Sequence, residues 1–113
     1  MATINVYEQY FEAEGCFSGA CRHAALVMLI SDSERGNISY KAAVTFFPHN
    51  NPEDFAVSYD AFFEETLYSA RGRRSKKREK TLLDQLQDVI GQLAENNEAR
   101  VFFDRPLREA RFG

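Results

Sequence analysis

Hydrophobic and polar residues alternate along the first part of the chain with the period of two that a β-strand requires. From residue 3 to residue 11, one face of the pattern carries Ile4, Val6, Glu8 and Tyr10, and the other carries Asn5, Tyr7, Gln9 and Phe11. Residues 12–20 then bring together Gly15 and other small residues, a composition typical of a connection or an irregular strand edge. The pattern predicts a strand at 3–11 that gives way to a connection.

A second alternating pattern indicates a β-hairpin in the centre of the chain. Residues 22–30 form a largely apolar arm, and residues 38–47 alternate in the strand sense. Between them, residues 31–37 are polar and contain Gly36 and Asn37. Two such arms around a turn-rich linker are the usual sequence signal of a hairpin.

Residues 51–70 favour a helix. Asn51 is a good N-cap, Pro52 fits the first helical position, and the acids that follow complement the positive end of the helix dipole. The apolar residues behind this start fall at helical spacing: Phe55, Tyr59, Phe62, Phe63, Leu67 and Ala70. The alternative is a strand through Phe55, Val57 and Tyr59, because these residue types also favour strands. Gly72 would end the helix.

A second helix is predicted at residues 75–95. Its apolar stripe consists of Leu82, Leu83, Leu86, Val89, Ile90 and Leu93. Asn96 and Asn97 follow, and asparagine tolerates the left-handed conformation that often closes a helix. Gly91 inside the helix costs about 1 kcal/mol relative to alanine, which suggests close packing at that position. Residues 99–103 are a short strand candidate.

These elements predict an α+β fold. We expect an antiparallel sheet of three to four strands, built from the N-terminal strand, the central hairpin and a short C-terminal strand, with two helices packed on one face. With 113 residues, of which 44% are hydrophobic and 27% charged, the chain has the composition of one globular domain spanning residues 1–113. A chain of this length buries roughly 65% of its unfolded surface, so it needs no metal or disulfide to fold.

The sequence contains no membrane or targeting signal that we recognise. The longest purely apolar run, residues 24–30, is far shorter than the roughly 20 residues that a membrane-spanning helix needs. We therefore expect a soluble, cytoplasmic protein that does not contact membranes. Cys16 and Cys21 are too few for a disulfide framework and are interpreted as reduced thiols in or near the core.

The charge distribution provides the main functional signal. Residues 71–80, hereafter the basic segment, contain seven basic residues and one acidic residue and carry a charge of +6. Because the whole chain sums to -3, the other 103 residues carry -9. The basic residues are Arg71, Arg73, Arg74, Lys76, Lys77, Arg78 and Lys80.

The position of the basic segment does not favour helix stability. If Ser75 caps the second helix, then Lys76, Lys77 and Arg78 occupy its first turn, where the helix dipole prefers negative charge. If the helix begins nearer Arg73, the basic side chains line one face of it. Either arrangement predicts a dense cationic patch of the kind that contacts nucleic acid or another polyanion.

Three alternatives to nucleic-acid binding remain open at this stage. The basic segment can be a solvated helix start that contributes only solubility. It can also contact carboxylates of the same chain. If it contacts carboxylates of an identical subunit instead, the protein self-associates. The third alternative is a protein-binding inhibitor or accessory factor that acts through its acidic surface, as anti-restriction and anti-CRISPR proteins can; this alternative rests on size and charge alone.

The candidate chemistry of the chain does not favour catalysis. Cys16, Cys21, His23 and His49 have the right atoms for a zinc site, but their spacing is poor and we predict no metal. No phosphate-binding loop, dinucleotide fingerprint, nucleophile elbow or zinc-protease motif occurs. We therefore predict a non-catalytic binding protein without a cofactor.

Two pairs of carboxylates recur at helical spacing. Asp60 with Glu64 and Asp84 with Asp88 each lie four residues apart, and facing helices could in principle hold a divalent cation between such pairs. Solvated helix faces opposite an apolar stripe are the better interpretation.

Overall fold

The computed structural model describes residues 2–17, 20–48, 61–107 and 111–112. These residues form one antiparallel sheet with a single helix. The elements are β1 (Ala2–Phe17), β2 (Ala20–Glu34), β3 (Asn37–Pro48), β4 (Ala61–Arg71), α1 (Lys76–Glu95), β5 (Ala99–Pro106) and β6 (Arg111–Phe112). The sheet order is β4-β3-β2-β1-β5, and the two-residue β6 also pairs with β1.

The predicted N-terminal strand is confirmed, but it is longer than expected. β1 continues through the predicted connection to Phe17 and pairs there with both β2 and β5. Gly15 is part of this strand rather than of a turn. A Cβ at Gly15 would lie 2.7 Å from the Phe17 ring, so the glycine leaves room for that ring.

The central hairpin is confirmed, and its turn is tighter than predicted. β2 and β3 remain paired as far as Glu34 and Asn37, which leaves only Arg35 and Gly36 in the turn. Both turn residues have positive φ, 52° and 79°. This is the requirement of a type I′ turn, whose twist matches that of the flanking strands.

The predicted helix over residues 51–70 is wrong where the structure describes it. Residues 61–71 form β4, an edge strand paired with β3. The predicted helix start at 51–54 and the alternative strand through Phe55, Val57 and Tyr59 lie outside the described residues. The described chain therefore carries one helix on a sheet of five main strands, instead of two helices on three or four strands.

A β-bulge explains why β4 imitates a helix in sequence. The register shifts between the pairs Tyr40↔Tyr68 and Lys41↔Thr66, so Leu67 is an extra residue in β4. The bulge reverses the side-chain alternation, and Phe63, Leu67 and Tyr68 all pack against the main core. Apolar residues thus recur at spacings of four and five, which overlap the spacing of a helical stripe.

The second predicted helix is confirmed as α1, with Ser75 as its N-cap. Leu82, Leu86 and Ile90 are buried against the sheet, as the stripe predicted. The C-terminal end differs from the prediction. Asn96 is right-handed with φ of -63°, and the positive φ of 61° belongs to Glu98. The short strand predicted at 99–103 is confirmed as β5.

The sheet has one face against α1 and one face opposite to it. Ala25, Val27 and Leu29 of β2 point toward the helix and are at most 1% exposed. Cross-strand neighbours Tyr10 and Leu26 lie on the opposite face with a smaller cluster around Phe47. Within the described ranges, no helix has both the length and the apolar character needed to cross a membrane.

Candidate functional site

The basic segment links the edge strand to the helix. It begins at the end of β4, continues through an irregular stretch that includes Gly72, and ends in the first turns of α1. Ser75 caps the helix by accepting a hydrogen bond from the Arg78 backbone N–H through Oγ at 3.3 Å. The alternative helix start near Arg73 is therefore wrong. All seven basic residues of the segment are exposed.

Glu79, the one acid of the segment, holds the helix start in place. Its carboxylate is buried and accepts two hydrogen bonds from Arg74, from Nε at 2.8 Å and from Nη2 at 3.0 Å. The buried Tyr40 hydroxyl donates a third hydrogen bond to Glu79 at 2.7 Å. The same hydroxyl accepts one from the Ser75 backbone N–H at 3.3 Å. Strand β3 is thereby connected to the N-terminus of α1 through a satisfied polar network.

The electrostatics of this network follow from its contacts. The bidentate Arg74 guanidinium, assisted by Tyr40, lowers the pKa of Glu79 below its usual value near 4.5. Burial, together with the hydrogen bond to the Glu79 carboxylate, raises the pKa of Tyr40 above 10.0. Glu79 is therefore ionised and Tyr40 neutral at pH 7. Arg74 thus uses its Nε and Nη2 donors within the protein.

Arg78 is also engaged within the molecule. Its guanidinium carbon lies 4.1 Å from the centroid of the Tyr68 ring, a cation–π arrangement. Tyr68 reaches this position because of the bulge at Leu67, which turns it toward the helix side of β4. Such stacking keeps the positive charge and fixes its place, so Arg78 still contributes to the local potential.

The other five basic residues are less engaged in the described parts of the chain, although Lys76 contributes to the lowered pKa of Glu79. No ion pair among the described residues joins a carboxylate to any of Arg71, Arg73, Lys76, Lys77 and Lys80. Several of them stand at the positive end of α1, where the dipole adds to their potential instead of reducing it. This end of the molecule therefore attracts anions.

Tertiary structure adds an eighth cation that the sequence did not indicate. The Gly72 backbone N–H donates a hydrogen bond of 2.9 Å to the carbonyl of Gly36, which places the β2–β3 turn beside the basic segment. Arg35 occupies that turn and is exposed. No local pattern connects residue 35 with residues 71–80, because the contact depends on the pairing of β4 with β3.

Comparison with protein-family models, with curated proteins and with solved structures found no match.

The cysteine and histidine residues do not assemble as the zinc hypothesis would need. Cys16 and Cys21 are exposed free thiols whose sulfurs are 3.3 Å apart, so their predicted place in or near the core is wrong. His23 is fully buried between aromatic rings, at 5.3 Å from Phe17 and 6.3 Å from Phe46. Residue 49 lies outside the described residues. In the part of the chain that the structure describes, no group of three metal-binding side chains occurs.

Of the two carboxylate pairs, only the second lies on a helix as its spacing predicted. Glu64 lies on strand β4 and approaches Lys41 at 3.9 Å, while its predicted partner at position 60 is outside the described residues. Asp84 and Asp88 are exposed on α1, as expected of a solvated helix face.

Proposed function

We propose that this protein is a non-catalytic binding protein that contacts nucleic acid, or another polyanion with closely spaced phosphates, through the basic segment and Arg35. The observation that carries the proposal is the set of five exposed basic side chains without carboxylate partners in the described chain. Unpaired Lys and Arg side chains clustered at one end of a molecule are the electrostatic footprint of nucleic-acid binding.

The internal contacts of the segment support the proposal. The network of Arg74, Glu79 and Tyr40 uses one cation to fix the backbone at the helix start, and the exposed Lys76, Lys77 and Lys80 extend from the first turns of that helix. Pre-organised charges lose less conformational entropy on binding than charges on a loose loop.

The rest of the molecule limits the binding mode. The 103 residues outside the segment carry -9, so a long duplex laid across the protein would meet repulsion over most of its contact area. Binding therefore involves a short stretch or an end of the nucleic acid and depends strongly on salt, since counterion release dominates such contacts.

The test is a fluorescence-anisotropy titration of labelled single-stranded and duplex oligonucleotides over a series of salt concentrations. Substituting Lys76 and Lys77 by alanine should weaken binding without weakening the helix, because it removes two cations from the positive end of the dipole. Each lost phosphate contact lowers the slope of log affinity against log salt by about 0.7 for single strands and about 0.9 for duplex.

The matched control replaces Arg22 and Arg100 by alanine. Both are exposed and lie at the opposite end of the sheet, where Glu14 of β1 pairs with Arg22 on one side and Arg100 on the other. The change in net charge is identical, so a purely global charge effect would weaken binding equally in both variants. Equal affinities for the wild type and the Lys76 and Lys77 variant would contradict the proposal.

A second candidate function is protein binding through the sheet face opposite α1. Leu26, Met28 and Ile30 are half-buried there, and Phe62 is 43% exposed. Glu8 lies across from Met28, and Glu64, which approaches Lys41 at 3.9 Å, lies across from Ala43, so charged groups border these apolar side chains. Apolar groups rimmed by charge are typical of protein interfaces, which fits an inhibitor that uses its acidic surface.

This candidate is tested by capture from lysate, with and without nuclease treatment, with three forms of the protein. A stoichiometric partner retained by the wild type and by the Lys76 and Lys77 variant, but lost on Phe62→Ser with Glu8→Lys, would favour the sheet face. Loss of the partner on nuclease treatment would favour nucleic-acid binding instead.

A further inference from the structure

The two cysteines face each other across the end of the sheet that is remote from the basic segment. Cys16 belongs to β1 and Cys21 to β2, and their sulfurs are 3.3 Å apart. They lie between the cross-strand pairs Glu14↔Arg22 and Phe17↔Ala20. Both thiols are exposed, so small molecules in solution can reach them.

The close approach of the two sulfurs suits a bond between them. Cys16 and Cys21 lie within a register shift of the β1–β2 ladder, and their sulfurs are 3.3 Å apart. A disulfide bond is about 2.05 Å long, so the sulfurs need to approach by roughly 1 Å. Rotation of the two side chains can supply a movement of this size.

Neighbouring aromatic residues hold both strands in place around the thiols. The Phe17 ring packs against His23 at 5.3 Å and against Phe46 at 5.1 Å, and His23 is fully buried. Each cysteine is thus within two residues of an anchored side chain. The thiols remain neighbours because the core below them keeps the strand ends together.

We propose that Cys16 and Cys21 form a reversible dithiol–disulfide site that exchanges with low-molecular-weight disulfides such as oxidised glutathione. One protein thiolate attacks the small disulfide, forms a mixed disulfide and releases one thiolate. The second protein thiol loses its proton and attacks the protein sulfur of the mixed disulfide, which releases the second small thiol. In sum, the protein gives up two electrons and two protons, and the small disulfide is reduced to two thiols.

The surroundings of the site affect the ionisation of one thiol. The hydrogen bond to Cys21, with the negative charges of Glu14 and Glu98, raises the pKa of Cys16 above its usual value. The thiolate is the attacking species in thiol–disulfide exchange, so exchange accelerates as the pH rises.

The test equilibrates the full chain in buffers of reduced and oxidised glutathione, traps free thiols by alkylation and measures intact mass. We expect a single two-electron transition from a doubly alkylated protein to an unalkylated monomer that has lost two hydrogen atoms. The wild type should accumulate no glutathione adduct, because the second cysteine displaces it. The Cys16→Ser and Cys21→Ser variants lack that cysteine and should each accumulate one adduct.

Three results would overturn the proposal: free thiols in the oxidised buffer, stable glutathione adducts on the wild-type protein, or covalent dimers linked through these cysteines. The serine variants change exposed side chains and keep the strand pairing, so a circular dichroism spectrum like that of the wild type checks their fold.

Discussion

At the residue scale, Gly91 and Gly15 differ in how much room a side chain would have. A Cβ at Gly91 would meet only the Phe103 ring, at 3.9 Å, which is ordinary contact and does not support the close packing expected there. A Cβ at Gly15 would lie 2.7 Å from the Phe17 ring and 3.2 Å from the Cβ of Ala99. Alanine therefore fits at position 91 and clashes with the Phe17 ring at position 15.

We accordingly expect Gly91→Ala to raise the free energy of unfolding by about 1 kcal/mol, the difference in helix propensity between the two residues. Gly15→Ala should lower it by about 1 to 3 kcal/mol, because the Phe17 ring is packed among other rings and cannot move freely. Urea denaturation of both variants measures the two changes. Destabilisation by Gly91→Ala would show that α1 lies closer to β5 than described.

Glu79 gives a prediction for the dependence of stability on pH. We expect Glu79→Gln to cost about 1 to 2 kcal/mol at pH 7, since it weakens charge-assisted bonds to a partly exposed arginine. The folded-state pKa of Glu79 is lowered, so its contribution is complete above the usual value near 4.5 and is lost as the pH falls through the lowered pKa.

Denaturation of the wild type and of Glu79→Gln between pH 7 and pH 3 tests this coupling. The stability difference between the two proteins should shrink steadily below about pH 4.5, where the unfolded wild type binds more protons than the folded one. A difference that is the same at pH 3 and pH 7 would mean that ionisation of Glu79 does not stabilise the fold.

At the scale of elements, β4 is the strand whose sequence pattern and structure disagree. Phe62 and Phe63 are adjacent and belong to one stripe if the segment is a helix, but they point to opposite faces of the sheet in a strand. Phe63 packs on Phe17 and Phe46, at 6.0 and 6.1 Å, while Phe62 is 43% exposed.

Alanine substitutions at these two positions should therefore differ in cost. Phe63→Ala removes ring contacts in the core and should destabilise the protein by about 2 to 3 kcal/mol, somewhat less than for a fully buried phenylalanine. Phe62→Ala should cost less than about 1 kcal/mol. Equal costs in thermal or urea denaturation would contradict the strand assignment of β4.

At the scale of the whole molecule, charge is separated between the basic end and the remaining surface. α1 is 20 residues long and spans about 30 Å, so its N-terminal cations are far from the strand ends where Cys16 and Arg100 lie. A ligand at the basic end and a thiol reagent at the other end would therefore not compete for the same surface.

Substitution of Arg35 tests whether the β2–β3 turn, which lies beside the basic segment, contributes to the proposed binding. We expect Arg35→Asn to reduce the slope of log affinity against log salt by as much as the loss of one lysine of the basic segment does, because the proposed interface includes both side chains. Asparagine tolerates the positive φ of 52° at this position, so the turn should persist. An unchanged salt slope would restrict the interface to residues 71–80.

The sequence alone determined the elements whose signals are local. The strand at 3–11, the central hairpin, α1 with its Ser75 cap, and the basic segment all follow from periodicity, capping and charge over a few neighbouring residues. Such signals predict structure correctly because each depends on contacts within one element or one turn.

Only the tertiary structure decided the rest. A β-bulge gave β4 an apolar spacing that resembles that of a helix. The packing of α1 on the sheet brought Glu79 to Tyr40 of β3, 39 positions away in sequence. Strand pairing also placed Arg35 beside Gly72 and brought Cys16 opposite Cys21. Register and long-range pairing have no local sequence signal, because they depend on how distant strands bury their faces together.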